Sequence, residues 1–145
     1  MLKQISLLGA LAVAASSFAA WQTPVNLGSP LNTSANEWYP FLSQNGRWMV
    51  FASDRTGGQG GADLWRSDYY GGAWQPPVNL GYYVNSSSGE STPFLADSDT
   101  RLYFISTAPG GQGSADIWWV PLRGGTPIAA RVNLGPPINT AFIDC

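Results

Sequence analysis

The stretch that decides the fold is SDRTGGQGGADLW, which runs from Ser53 to Trp65. It is rich in glycine, as phosphate-binding loops are, and it has an aspartate near each end, as metal-binding loops often have. A near copy, STAPGGQGSADIW, runs from Ser106 to Trp118, 53 residues later. The stretch therefore belongs to a repeat, and the repeat has to be interpreted before either motif.

The repeat extends beyond the glycine-rich stretch on its N-terminal side. WQTPVNLGSPLNTSANEWYPFLS, from Trp21, matches WQPPVNLGYYVNSSSGESTPFLA, from Trp74, and a third copy opens as ARVNLGPPINT from Ala130. A period of this size, with several short strands in each unit, is typical of β-propellers and similar arrays. The equivalent asparagines of the three copies are Asn26, Asn79 and Asn133.

Each unit is predicted to hold four strands, which gives an all-β fold. The second strands are apolar on both faces, and such strands are covered on both sides. The fourth strand, WQPPVNLG, contains two prolines, which favour an outer edge position. We therefore expect two complete four-stranded propeller blades plus partial flanking strands. The first three strands are predicted at 38–43, 47–53 and 62–67, and again at 91–96, 101–106 and 115–120.

These residues resemble the TolB-like β-propeller repeat, a WD-repeat-like unit of exported bacterial proteins. The resemblance rests on NLG..xN, on Glu then Pro before the first strand, on FASDR and on GGxGxxDLW, and it covers Trp21 to about Thr140. It implies blade units at about 38–81 and 91–135, with a further repeat starting at 136–145. It also implies an architecture used mainly for binding, in proteins that dock to partners in the cell envelope.

The copies depart from one another at a few positions. Thr107, Ala108 and Pro109 stand where the first copy has Asp54, Arg55 and Thr56, so any role of Asp54 or Arg55 is expected in one unit only. The third copy has Ile128 in place of the tryptophan, and it ends before the Glu and Pro that would start another blade. We therefore expect one of two arrangements. Either the repeats belong to a longer propeller, or several copies of this chain assemble into a ring and form a homo-oligomer.

Residues 1–20 have the pattern of a secretory signal peptide. Lys3 precedes an apolar run from Ile5 to Ala15, and small residues stand at Ser17 and Ala19. The run is shorter than the roughly 20 residues of a membrane span. The sequence thus predicts cleavage after Ala19 or Ala20, a periplasmic or extracellular location, and no membrane span in the mature protein.

Composition argues against several classes of site. The chain has no histidine and a single cysteine, Cys145, so a Cys/His metal site is excluded. The net charge of -2 and the scattered arginines do not suggest a nucleic-acid surface. A phosphate loop would lead into a helix, and calcium would need six to eight oxygens. We predict instead that Asp63 and Asp116 accept backbone hydrogen bonds within the loop, with no metal, cofactor or catalytic residue.

The candidate binding residues lie in the two longest loops of each repeat. In an antiparallel meander alternate connections fall at opposite ends of the sheet, so LNTSANE and DRTGGQGGA are expected at one rim, where ligand sites are often found. Trp38 and Trp48 are also candidates. The second copy has the non-aromatic residues Ser91 and Arg101 at these positions, so these two tryptophans are better surface candidates than the repeated ones. The candidates are Asn32, Glu37, Trp38, Trp48, Arg55, Gln59, Asn85, Glu90 and Gln112.

The sequence favours an exported, non-catalytic binding scaffold of the bacterial cell envelope that docks a protein or a glycan. One alternative is part of a propeller-type glycosidase or lyase, with Glu37 and Glu90 as the carboxylate pair. Their equivalence in the repeat argues against that role, because an acid and its partner need different environments. The other alternative is a small oligomeric lectin in which Trp38 or Trp48 stacks on sugars.

Overall fold

A computed structural model describes residues 23–145, and the predicted signal peptide lies outside these residues. The described part contains no helix, so it contains none that is long and apolar enough to cross a membrane. The all-β prediction is confirmed. The strands are β1 (Glu37–Leu42), β2 (Trp48–Ser53), β3 (Asp63–Tyr70), β4 (Ala73–Trp74), β5 (Val78–Asn79), β6 (Glu90–Ala96), β7 (Arg101–Ser106), β8 (Asp116–Arg123), β9 (Thr126–Pro127) and β10 (Val132–Asn133).

The strands form two antiparallel sheets of the same design, which together make one curled half-barrel. In the first sheet β1, β2 and β3 are successive neighbours, and β3 also pairs with β4 and β5. In the second sheet β6, β7 and β8 follow the same order, and β8 pairs with β9 and β10. The predicted fourth strand is thus an edge strand in two short pieces. Pro76 and Pro77 lie between β4 and β5 and have no N–H to donate to a ladder.

Each first strand contains a bulge that the sequence pattern did not indicate. The register of β1 with β2 shifts between Trp38 and Phe41, and that of β6 with β7 shifts at the equivalent place. Tyr39 and Thr92, which are equivalent in the repeat, have φ values of 51° and 49°. A proline follows each of them and cannot donate a ladder hydrogen bond, so the extra residue of the bulge is accommodated there.

The main core lies between the two sheets. Trp48, Val50 and Ala52 of β2 share one buried cluster with Leu95 of β6 and with Leu102 and Phe104 of β7. Burial of this apolar area is the main stabilising contribution, at about 25 cal/mol per Å² removed from water. The second face of β2 carries a smaller cluster of Leu31, Met49, Phe51 and Trp65, with Trp74 packed against it.

The prediction that the second strands are covered on both sides is correct for β2 and wrong for β7. Every residue of β2 is buried. In β7, Leu102 and Phe104 are buried against the first sheet, whereas Tyr103 and Ile105 on the other face are only half-buried. Each sheet has a neighbouring sheet on one side only within residues 23–145, but the far face of β2 is also covered by Leu31 and by tryptophans of its own unit, whereas the far face of β7 has no such cover there.

Candidate functional site

The NLG..xN motif forms the same hydrogen-bonded turn in all three copies. In the second copy the Oδ1 atom of Asn79 accepts from the N–H of Gly81 at 2.8 Å and from Nδ2 of Asn85 at 2.9 Å. Gly81 has a φ of 74°, a conformation in which glycine avoids the Cβ clash of other residues. The equivalent sets are Asn26, Gly28 and Asn32 in the first copy and Asn133, Gly135 and Asn139 in the third.

The second asparagine of the motif also holds the third strand of the preceding sheet. Asn85 accepts from the N–H of Leu64 at 2.8 Å and donates to its carbonyl at 2.9 Å. Asn139 does the same to Ile117, at 3.0 and 2.9 Å. Asn32, the equivalent residue of the first copy, is exposed and makes no such pair of bonds in the described part of the chain.

Asp63 and Asp116 organise the glycine-rich loops, as the sequence predicted. Asp63 accepts from the backbone N–H of Gln59, and Asp116 accepts from that of Gln112 at 2.6 Å. The first asparagine of the next copy also donates to each carboxylate, at 2.9 Å from Asn79 to Asp63. Within residues 23–145 no group of three or more His, Cys, Asp or Glu side chains could hold a metal ion.

Each glycine-rich loop packs on the turn that begins at the second asparagine of the next copy. We call this turn, which spans residues 32–37, 85–90 and 139–144 in the three copies, the Asn–Glu turn. The N–H of Gly61 donates to the carbonyl of Ser88 at 2.9 Å, and the N–H of Glu90 donates to that of Ala62 at 2.7 Å. A Cβ atom at Gly60 would overlap the carbonyls of Ser86 and Ser88. In the second unit Gly113 has the same contact with the turn of residues 139–144. Glycine is therefore required at this position because the backbone of the turn approaches so closely.

A carboxylate closes the Asn–Glu turn in every copy. Glu37 accepts from the N–H of Thr33 at 3.1 Å and from its hydroxyl at 2.6 Å. Glu90 accepts the same two bonds from Ser86 at 2.9 and 2.6 Å. Asp144 accepts them from Thr140 at 2.7 and 3.1 Å.

The expectation that the third copy ends before its carboxylate is therefore wrong. Asp144 lies at the position that Glu37 and Glu90 hold in the other copies. The sequence pattern did not indicate it, because this residue is an aspartate, one methylene shorter than the glutamates of the first two copies. The spacing of five residues from Asn139 is the signal that would have identified it.

Glu37 and Glu90 have different surroundings despite their equivalence. Glu37 forms an ion pair with Arg55 at 3.0 Å. Burial acts to raise the pKa of Glu37, but the hydrogen bonds from Thr33 and the charge of Arg55 outweigh it and hold that pKa below the ordinary value of 4.5. Glu90 is fully buried and accepts from the Ser106 hydroxyl at 2.7 Å, with Ala108 at the position of Arg55.

A different arginine replaces Arg55 in the second unit. The Arg55 guanidinium lies 5.5 Å from the Trp65 ring and donates to the carbonyl of Leu31 at 2.6 Å. The Arg131 guanidinium lies 5.5 Å from the equivalent ring of Trp118 and donates to the equivalent carbonyl, that of Val84, at 3.0 Å. The sequence therefore predicted wrongly that this role exists in one unit only, because Arg131 reaches the site from the segment before β10.

The long loops do share one rim, as predicted. The N–H of Asn36 donates to Asp54 at 2.8 Å, and Gly61 donates to Ser88 as described above, so turns and glycine-rich loops are in direct contact. We call this end of the sheets the rim. It comprises residues 32–37, 54–62, 85–90, 107–115 and 139–144.

The nine candidate residues differ in exposure. Asn32, Gln59 and Gln112 are exposed at the rim, Trp38 is exposed next to it in β1, and Glu37 and Arg55 are half-buried. Trp48, Asn85 and Glu90 are buried, so their prediction as binding residues is corrected. Asn85 and Glu90 serve the turns described above. Trp48 is 6% exposed because it packs in the core beneath the Arg66 guanidinium, 4.7 Å from the ring.

The structure brings three of the candidates to one cleft. It lies on the face of the first sheet that points away from the second sheet and has a volume of about 230 Å³. Asn32, Glu37 and Trp38 line it together with apolar side chains of the small core cluster. Trp38 is 38% exposed. The remaining lining residues are Leu27, Leu31, Pro40, Met49 and Phe51.

No known family model matches the chain, and no curated protein is similar to it in sequence.

Proposed function

We propose that this protein is an exported, non-catalytic binding scaffold of the bacterial cell envelope, whose two sheets are blades of a TolB-like propeller. It docks a protein partner at the first-sheet end of the rim. One observation carries the proposal: the cleft beside Trp38 is apolar, open and lined by Asn32 and Glu37. Pockets of this kind, mostly apolar with a few polar groups, are the usual sites of recognition.

The role of the rim carboxylates favours binding over catalysis. Glu37, Glu90 and Asp144 each close a turn by accepting the same pair of local hydrogen bonds. A general acid or base must instead reach the proton that it transfers to or from a substrate. Three carboxylates with one shared structural task are better explained as parts of the repeat than as an acid and its partner.

The lining of the cleft favours a protein segment as the ligand. Leu27 and Trp38 offer exposed apolar surface beside the polar edge of Asn32, which suits an extended segment with alternating side chains. A glycan is the second candidate, because an exposed tryptophan ring is also a platform for a sugar ring. Arrays of the two ligand classes, probed with the same variants, separate them.

The test is to probe peptide and glycan arrays with the protein, with Trp38→Ala and with Tyr70→Ala. Tyr70 is an exposed aromatic residue at the end of β3 and outside the cleft, so Tyr70→Ala is the matched control. We expect peptide binding that Trp38→Ala abolishes and Tyr70→Ala leaves unchanged, with folding verified by circular dichroism. Glycan binding with the same dependence would favour the lectin alternative. Turnover of a glycan, lost in Glu37→Gln, would overturn the non-catalytic proposal.

A further inference from the structure

One interface occurs twice within the chain. Asn79 of β5 pairs with Trp65 of β3, and Asn133 of β10 pairs with Trp118 of β8. In both places the aspartate two residues before the tryptophan accepts from the asparagine side chain, at 2.9 and 3.2 Å. In both places the glycine three residues before the aspartate rests on the following turn.

The first copy of the motif offers the same receiving surface. Val25 and Asn26 are equivalent to β5 and β10, but within residues 23–145 they pair with no strand, and Val25 is 81% exposed. Asn32 is already held by Asn26 at 2.8 Å, as Asn85 and Asn139 are held in their turns. Within residues 23–145 the turn of Thr33 to Asn36 contacts Asp54 of its own unit, but no glycine rests on it as Gly60 rests on the turn of Ser86 to Ser88.

We propose that residues 25–37 are a docking site for an extended strand of a partner with the pattern Gly-x-x-Asp-(Leu/Ile)-Trp. This inference rests on the proposed function and names its partner class. The side-chain N–H of Asn26 donates to the partner's aspartate. Asn32 pairs with the N–H and carbonyl of the following Leu or Ile, as Asn85 does with Leu64. The cleft beside Trp38 is continuous with this surface through Leu27 and Leu31.

The glycine and the aspartate of the pattern each have a physical reason. The glycine is required because a Cβ there would overlap carbonyls of the turn, as at Gly60 and Gly113. The aspartate is required because it accepts both from its own loop and from the asparagine side chain. The strand adds to the open edge by main-chain hydrogen bonds, and the side chains supply the specificity.

The strand has to come from outside the part of the chain that the structure describes, residues 23–145. The two strands of this pattern in the chain, β3 and β8, already pair with β5 and β10. A second copy docked in the same way would also bring its residues 132–144 to the place that residues 25–37 occupy. Two equivalent segments cannot fill one site, so a partner of the same strand chemistry fits and a head-to-tail second copy does not.

The probe is a synthetic peptide with the sequence of residues 107–119, TAPGGQGSADIWW. We expect saturable binding in calorimetry and shifts of the side-chain amide signals of Asn26 and Asn32 in NMR spectra. Peptides carrying Gly113→Ala or Asp116→Ala should bind at least about tenfold more weakly, a loss of about 1.4 kcal/mol. Equal affinity of the three peptides would overturn the pattern.

Asn26→Asp is the variant on the receiving side. It keeps the oxygen that accepts from Gly28 and Asn32, but it loses the donor and places a negative charge against the peptide's aspartate. We expect at least about a tenfold loss of affinity. Asn45→Asp is the matched control, since Asn45 also acts as an acceptor but lies in the turn between β1 and β2, at the opposite end. An equal effect of both variants would overturn the proposed site.

Analytical sedimentation of the protein without peptide tests whether a second copy of the chain occupies the site. We expect no self-association that depends on Asn26, and its detection would assign the site to a second copy and overturn the inference. Absence of peptide binding would overturn it as well. Neither result touches the proposed function, whose failure is recognised separately by the absence of any ligand that depends on Trp38.

Discussion

The side chain of Asn85 holds the backbone of Leu64 through two hydrogen bonds, one to its N–H at 2.8 Å and one to its carbonyl at 2.9 Å. Both residues are almost fully buried. The pair joins the start of the second unit to the third strand of the first. It therefore links the two sheets through polar contacts in addition to the apolar core.

Replacement of Asn85 by alanine should lower the free energy of unfolding by about 1 to 3 kcal/mol, because the buried N–H of Leu64 loses its acceptor, whereas the carbonyl of Leu64 keeps the bond from the N–H of Leu80 at 3.1 Å. Urea unfolding followed by tryptophan fluorescence measures the loss. Asn32→Ala is the matched control, since Asn32 is exposed, and it should change stability by less than about 0.5 kcal/mol. Equal losses in the two variants would contradict the assigned role of Asn85.

Asp63→Ala should lower the free energy of unfolding by roughly 1 to 3 kcal/mol, because two part-buried donors lose the buried carboxylate that accepts from them. The donors are the N–H of Gln59 and the side chain of Asn79. Asp63→Asn retains one acceptor and should cost less. Addition of millimolar calcium should leave the melting temperature of the unaltered protein unchanged. A rise with calcium would show that the loop binds metal.

Arg131→Ala should lower the free energy of unfolding by about 1 to 3 kcal/mol, since the carbonyls of Val84 and Asn85 lose a charged donor. The repeat allows a test of whether Arg131 and Arg55 have equivalent roles. Ala108→Arg places a guanidinium at the position of Arg55 in the second unit and should restore at least half of the loss in the Arg131→Ala background. Failure of the double variant to recover would mean that the two arginines are not interchangeable.

Most of the fold could be predicted from the repeat. The strand order, the edge position of the proline-containing strand and the shared rim all follow from periodicity and turn chemistry, and the structure confirms them. The bulges at Tyr39 and Thr92 could not be predicted, because a positive φ at a non-glycine residue leaves no pattern in one sequence. The wrong prediction for β7 has a different origin, because coverage of a strand depends on which segments pack on its far face, and those on β2 have no counterpart on β7 within residues 23–145.

The candidate site was predicted less well than the fold. Asn32 and Trp38 are exposed and line the cleft at the first-sheet end, so both stay candidates. Asn85 and Glu90 were misassigned because burial differs between equivalent positions once another unit packs on them. Arg131 was missed because its counterpart in the repeat is a proline, Pro77, so no alignment of the copies could identify it.

Export is a prediction that protein chemistry can check directly. The protein should be recovered from the periplasm or the medium with a new N-terminus near Ala20 or Trp21, because residues 1–20 have the pattern of a cleaved signal. Cell fractionation followed by N-terminal sequencing is the measurement. Recovery of cytoplasmic protein that still carries Met1 would contradict it.

The stability contributed by Glu37 should depend on pH. Its pKa is lowered in the folded protein, so folding favours the carboxylate form. Such a group stabilises the fold fully above its unfolded pKa, and this contribution is lost as the pH falls through the folded pKa. Glu37→Gln should therefore be less stable than the unaltered protein near neutral pH, and the difference should shrink below the ordinary value of 4.5.

Urea unfolding of both proteins between about pH 3 and about pH 7 measures this difference. Arg55→Met supplies the control, because it removes the charge that lies 3.0 Å from Glu37 and leaves the hydrogen bonds from Thr33 in place. In the Arg55→Met background the pKa of Glu37 should lie higher, so the contribution of Glu37 should be smaller near neutral pH and should disappear at a higher pH. A stability difference between the unaltered protein and the Glu37→Gln variant that stays constant over this range would show that the turn needs the shape of the side chain and not its charge.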